Sequence, residues 1–124
     1  MIQAIENPFT TMVGHPTGRL LLARDPYPLD LDAVLQAAAR QGVLIELNAN
    51  PHRLDLDWRL MKKAKELGLR VAINPDAHHL EGLDDVVYGV GIARKGWLTR
   101  EDVFNTWEAK DVADYLEKRR GIFK

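Results

Sequence analysis

Short apolar runs that stop on proline constrain this chain most. "GVLIELNANP" holds one over residues 43–47, bounded by Gly42 and an Asn-Ala-Asn-Pro turn. "LRVAINPD" holds a second over 70–74, ended by Pro75. Both are nearly continuous in apolar residues, as parallel strands covered on both faces are. "TTMVGHP" offers a third over 11–14, again stopped by proline.

Helical stripes separate these runs. Leu31, Val34, Leu35, Ala38 and Ala39 recur at i, i+3, i+4, i+7 and i+8, with Asp30 placed as N-cap and Gly42 as C′. Leu60, Met61, Ala64 and Leu67 repeat the pattern, capped near Asp57 and closed by Gly68. A third helix is predicted over 82–95, with Leu83, Val86, Val87 and Val90 as its stripe before Gly96. Thr99 and Asp102 have the spacing of a capping box, and Val112, Tyr115 and Leu116 line a last helix that ends in the basic cluster "EKRRGIFK". The alternation gives an α/β chain of right-handed parallel βα units, in a sheet that is open or closed into a barrel. In both versions ligands sit at the carboxyl ends of the strands. That singles out "GHPTGR", "NANPHR" and "PDAHH".

At 124 residues and 46% hydrophobic, the chain is large enough for one core, and a single domain over 1–124 is expected. Its 17 basic and 18 acidic side chains leave a net charge of −1, which gives no electrostatic reason to bind nucleic acid non-specifically. No apolar run approaches the roughly 18 residues of a membrane span, and the N-terminus lacks a basic-then-apolar leader pattern, so no membrane partner and a cytoplasmic address are expected. There is no cysteine. Any metal must therefore be held by histidines and carboxylates.

Asp76 and His78 are two apart on what reads as an extended segment, which would turn both side chains to one side and His79 to the other. Such a pair is a half-site for Zn²⁺, Mn²⁺ or Fe, or else an exposed turn whose histidines do nothing. His15, between Gly14 and Pro16, is a second candidate ligand or a satisfied core histidine. Two strand ends that offer His15 and Asp76/His78 on the same side strengthen the metal reading. Thr17, Gly18 and Arg19 can hold an oxyanion, though "PTGR" is also an ordinary turn. Glu46 lies inside an apolar strand, with Asn48 and Asn50 at its end. A buried Glu needs a partner, and a metal site or an Arg would provide one, unless it faces outward at a helix–strand seam. His52 and Arg53 read as loop residues that could contact an anionic substrate. Trp58, Trp97 and Trp107 read as packing residues rather than a stacking platform.

Taken in order, "GHPTGRLL", "IELNANPHRLDLD", "NPDAHHLEGLDDVVYGVGIARKGWL" and "NTW" resemble the C-terminal part of the PHP (polymerase and histidinol phosphatase) domain, most of all the one in bacterial family X DNA polymerases. The resemblance runs through essentially the whole chain. It implies the C-terminal half of a distorted βα barrel with a multinuclear metal centre that hydrolyses phosphoesters. It implies 3′–5′ exonuclease-type processing of DNA 3′ ends, with Mn²⁺ or Zn²⁺ as cofactor and a place in DNA repair. His15 matches the ligand of the family's HPT-type motif, and Asp76 and His78 match those of its late D-x-H motif. Arg19 borders the site, and Arg19 and Asn48 are the expected substrate contacts. The family's early H-x-H with its downstream Asp, and the His, Glu and His after it, lie upstream of what this chain carries. "MIQAIENPF" then reads as the tail of a preceding helix, and the chain as a piece that begins mid-barrel.

The resulting expectation is a metal-dependent phosphoesterase module, weak or inactive by itself. The alternatives are a non-catalytic interaction fragment and a small-metabolite phosphatase of the histidinol-phosphate type. Three strands cannot close a barrel, so an exposed sheet edge and self-association through it are also expected.

Overall fold

A three-stranded parallel sheet organises the chain in the computed structural model, which describes residues 1–121. The end of the basic cluster, 122–124, lies outside the described residues. A short α1 (Ile2–Ile5) leads into β1 (Met12–Val13), α2 (Leu31–Gln41), β2 (Leu44–Asn48), α3 (Trp58–Glu66) and β3 (Val71–Asn74). Beyond β3 come a 3₁₀ segment (Leu80–Asp85), α4 (Val86–Lys95), two further 3₁₀ turns (Arg100–Asp102 and Phe104–Thr106) and α5 (Ala109–Gly121). The sheet order is β1-β2-β3, with Val13 beside Ile45, Ile45 beside Val71 and Asn48 beside Asn74. The parallel βα units expected from the alternation are therefore present, and the carboxyl ends of the strands lie side by side.

The local sequence explains why α2 and α3 form where they do. Asp30 accepts the N–H of Ala33 at 3.0 Å, and Gly42 closes α2 in the left-handed conformation (φ 63°). Asp57 caps α3 through the N–H of Arg59 at 2.9 Å. Val34, Leu35, Ala38, Met61 and Ala64 are buried, and Leu31, Ala39, Leu60 and Leu67 pack against them. These helices cover the sheet face made by Val43, Ile45, Leu47, Val71 and Ile73, which belong to the same core. Side chains alternate along a strand, so the opposite face carries Leu44, Glu46 and Asn48 from β2 with Ala72 and Asn74 from β3. That face turns from apolar to polar toward the carboxyl ends.

The third helix departs from expectation. A 3₁₀ segment takes the first turns, and α4 begins only at Val86. The large residues read as its buried stripe face solvent: Leu83 is 55% exposed, Val87 63% and Val90 41%. What α4 buries is Gly89 and Ala93. A Cβ at Gly89 would stand 2.6 Å from Ile73 Cγ2 and 2.7 Å from Ala49 Cβ, so the helix backbone lies too close to the sheet for any side chain there. A stripe of small residues won the packing face because it permits this approach.

The far edge of β3 is covered. Val103 forms a parallel bridge with Val71, and the Asn105 side chain donates to Ile73 O at 2.8 Å and accepts from Ile73 N at 2.7 Å. A primary amide thus stands in for a fourth strand. Among the described residues, β1 is paired only with β2. The expected Thr99–Asp102 box is present, with the Asp102 carboxylate taking the Thr99 N–H and hydroxyl at 2.7 and 2.9 Å. On α5, Tyr115 packs edge-on against Phe104 and Trp107 and donates to Gly42 O at 2.6 Å. Trp107 is a packing residue as expected, whereas Trp97 is 75% exposed.

Candidate functional site

His15 follows β1 and Asp76 follows β3, and the two side chains face each other across the end of β2. His15 Nε2 lies 3.9 Å from Asp76 Oδ1. Both residues have left-handed backbones, with φ of 45° and 57°, two of the five non-glycine residues that do among the described residues. Each such residue costs on the order of 1 kcal/mol or more and persists only where its surroundings hold it.

The surroundings of His15 are buried and polar. Glu46 Oε2 accepts the His15 N–H at 2.6 Å, while Glu46 Oε1 accepts from Asn74 Nδ2 at 2.9 Å. Asn48, fully buried, places its Nδ2 3.3 Å from His15 Nδ1. Asp55, also fully buried, accepts from Thr17 N at 3.0 Å, Thr17 Oγ1 at 2.9 Å and Gly18 N at 3.1 Å. Gly18 has φ 66°, and a Cβ there would fall 2.2 Å from the Tyr27 ring, so only glycine completes this loop. Three polar residues from β2 and the segment after it therefore fix the loop that carries His15. Sequence alone does not single out Asp55, which lies between the "NANPHR" turn and the cap expected near Asp57.

His78 does not sit as a two-residue spacing on an extended segment would place it. The left-handed Asp76 breaks the alternation, and exposed His78 turns its Nδ1 to the backbone carbonyl of Asp76 at 2.7 Å. His79 Nδ1 lies 3.2 Å from Gly82 N and 3.2 Å from Glu81 Oε2, capping the 3₁₀ segment. Among the described residues, no group of three or more His, Asp or Glu side chains gathers closely enough to hold a metal ion. His15 and Asp76 do supply one imidazole nitrogen and one carboxylate oxygen at a separation two ligands of one ion can span. Zn²⁺ and Mn²⁺ accept such a mixed pair. The donor set fits part of a coordination shell, with His78 next to it in the chain.

Arg19, expected as a substrate contact, braces a loop instead, and Arg53, read as a loop residue that could meet an anion, lies at the site. Arg19 is turned inward: Nε donates to Arg53 O at 2.9 Å, Nη1 to Asp57 Oδ2 at 3.2 Å, and Nη2 to Leu54 O. All three nitrogens are engaged in bracing the loop after β2. Arg53 instead reaches the site, with Nε 3.4 Å from Asp76 Oδ2. Asn48, expected as a substrate contact, is buried behind His15 and can act only through it.

Two carboxylates of the fold sit below the usual carboxylate range. Asp57 is held there chiefly by the hydrogen bond from Arg59, with Arg19 adding to it and burial opposing. At Asp102 burial pushes upward, but the Thr99 donors and the Lys65 ammonium at 2.9 Å outweigh it.

No protein-family model matches the chain. It is 43% identical over 115 residues to the DNA polymerase/3′-5′ exonuclease PolX of Bacillus subtilis (strain 168), which covers 93% of this chain and 20% of that protein. It is 31% identical over 129 residues to a probable phosphatase of Thermoanaerobacter sp. (strain X514), covering 98% of this chain and 50% of that protein. A probable phosphatase of Caldanaerobacter subterraneus subsp. tengcongensis is 31% identical over 126 residues, covering 97% and 47%. The chain spans half or less of the length of each of these relatives, and its likeness is to proteins named for phosphoester chemistry.

Proposed function

We propose that this chain is a PHP-like part of a metal-dependent phosphoesterase that acts on DNA 3′ ends. The observation that carries the reading is the approach of His15 Nε2 and Asp76 Oδ1 at the carboxyl ends of two parallel strands. A divalent cation, Mn²⁺ or Zn²⁺, held by His15 and Asp76 with His78 as a third ligand would supply the water activation and charge neutralisation that phosphoester hydrolysis needs.

The chain's own residues do the rest. Glu46 and Asn48 fix the backbone and ring of His15, and Asp55 holds the loop behind it. Arg53, with Nε beside Asp76 and Nη1 donating to Arg19 O at 3.3 Å, would neutralise a phosphate by its charge, while Arg19 keeps that loop in position. Two assembled donors are fewer than a closed shell, so turnover by this chain alone is slow. Self-association through the outer edge of β1 belongs to the same reading and is measured by sedimentation.

The test is release of nucleotides from a 3′-labelled DNA strand with and without Mn²⁺. Slow, Mn²⁺-dependent release that is lost in Asp76→Ala supports the reading, and release independent of metal or of Asp76 contradicts it. The likeness to probable phosphatases favours one rival, a small phosphomonoester as substrate. Competition of such an ester against the DNA end separates the two.

A further inference from the structure

We infer that Asn48 is a positioning residue that sets which nitrogen of His15 carries the proton: Nδ1 accepts, and Nε2–H faces the open site. A backbone group of fixed role orients the Asn48 amide. The N–H of Asn50 can only donate, and it donates to the Asn48 side chain at 3.1 Å, which makes the atom there the carbonyl Oδ1. The other end of the same amide is then the NH₂ group, 3.3 Å from His15 Nδ1. A donor facing Nδ1 requires a lone pair on it, so a neutral imidazole must carry its hydrogen on Nε2.

Burial makes the choice stringent. Asn48 has no exposed surface, so neither end of its amide can turn to water instead. Its backbone is held in β2 beside Asn74 and by the bridge to Asp55, so it cannot move away from His15. The imidazole is held from its own backbone as well, because Glu46 takes the His15 N–H at 2.6 Å. Reversing the Asn48 amide would put its NH₂ against the Asn50 N–H, two donors face to face.

This has a consequence for cation uptake, which alone rests on the proposed function. A ligand nitrogen must offer a lone pair, and the one facing Asp76 is Nε2, where the Asn48 contact places the hydrogen. Uptake there requires the proton to lie on Nδ1, against the grain of the Asn50–Asn48–His15 chain. Asn48 therefore weakens the site, and an acceptor in its place strengthens it. Asp at position 48 would accept from Nδ1–H, as carboxylates behind metal-bound histidines do.

The test is long-range ¹H–¹⁵N correlation of the histidine side chains in the metal-free chain above about pH 8, where an ordinary imidazole is neutral. The expected spectrum has Nδ1 of His15 unprotonated and Nε2 protonated. The reverse assignment, or a mixture of both forms, overturns the inference with no variant needed. In Asn48→Asp the two assignments should exchange, and unchanged assignments in that folded variant also overturn it. Zn²⁺ titration of both proteins then reads the consequence, with about tenfold tighter binding expected in the variant. If neither protein binds Zn²⁺ while the tautomer is as stated, the metal reading fails and the role of Asn48 stands.

Discussion

Glu46 Oε2 accepts the backbone N–H of His15 at 2.6 Å, and its other oxygen accepts the side-chain amide of Asn74 at 2.9 Å. A single carboxylate in the middle strand thereby ties together the ends of all three. Gln at this position keeps the shape but offers one acceptor and one donor, so one of the two contacts becomes donor against donor. Glu46→Gln should lose about 1–3 kcal/mol of stability, the cost of a buried polar group left unsatisfied. Urea denaturation checks this, and a variant as stable as the parent would mean the carboxylate is not holding these strand ends.

The close approach of α4 to the sheet separates Gly89 from Gly91, which lie on the same helix. Gly89→Ala places a methyl group 2.6 Å from Ile73 Cγ2, and overpacking of that kind costs roughly 1–3 kcal/mol. Gly91→Ala meets nothing within 4 Å and should be neutral or stabilise by up to about 1 kcal/mol. Equal effects from the two substitutions, measured by the same denaturation, would contradict the packing described here.

Stability should fall in acid, in part through Asp57 and Asp102. Both carboxyls are held lower in the folded chain than in the unfolded one. Their contribution is complete above the unfolded value of about 3.9 and is lost as pH falls below it toward the folded values. Asp102→Asn should therefore cost stability at pH 7 and flatten the decline below about pH 4. A parent and variant whose stability curves run parallel through that range would rule out Asp102 as a contributor.

Much of this fold is legible in the sequence where one residue type has one use. Asp30 and Gly42 bracket α2 because a cap and a left-handed terminus accept few other residues, and the stripe of Val34, Leu35 and Ala38 faces the sheet as its period requires. The period misleads in α4, where Gly89 and Ala93 permit a closer approach than the larger stripe would, and Val87 and Val90 are left outside. At the site, the approach of His15 to Asp76 follows from strand order and a common end. The place of His78 does not, because a single left-handed residue at Asp76 cancels the two-residue periodicity. Nor could sequence show that the half-buried loop carbonyls of Arg53 and Leu54 capture Arg19.

Calorimetric titration with Mn²⁺ or Zn²⁺ at neutral pH, of the parent chain and of His15→Ala and Asp76→Ala, tests the central claim most directly. Weak but saturable binding is expected in the parent, reduced at least tenfold by either substitution because each removes one of the two donors that face each other. No binding by the parent, or binding that both substitutions leave unchanged, would contradict a metal site at His15 and Asp76.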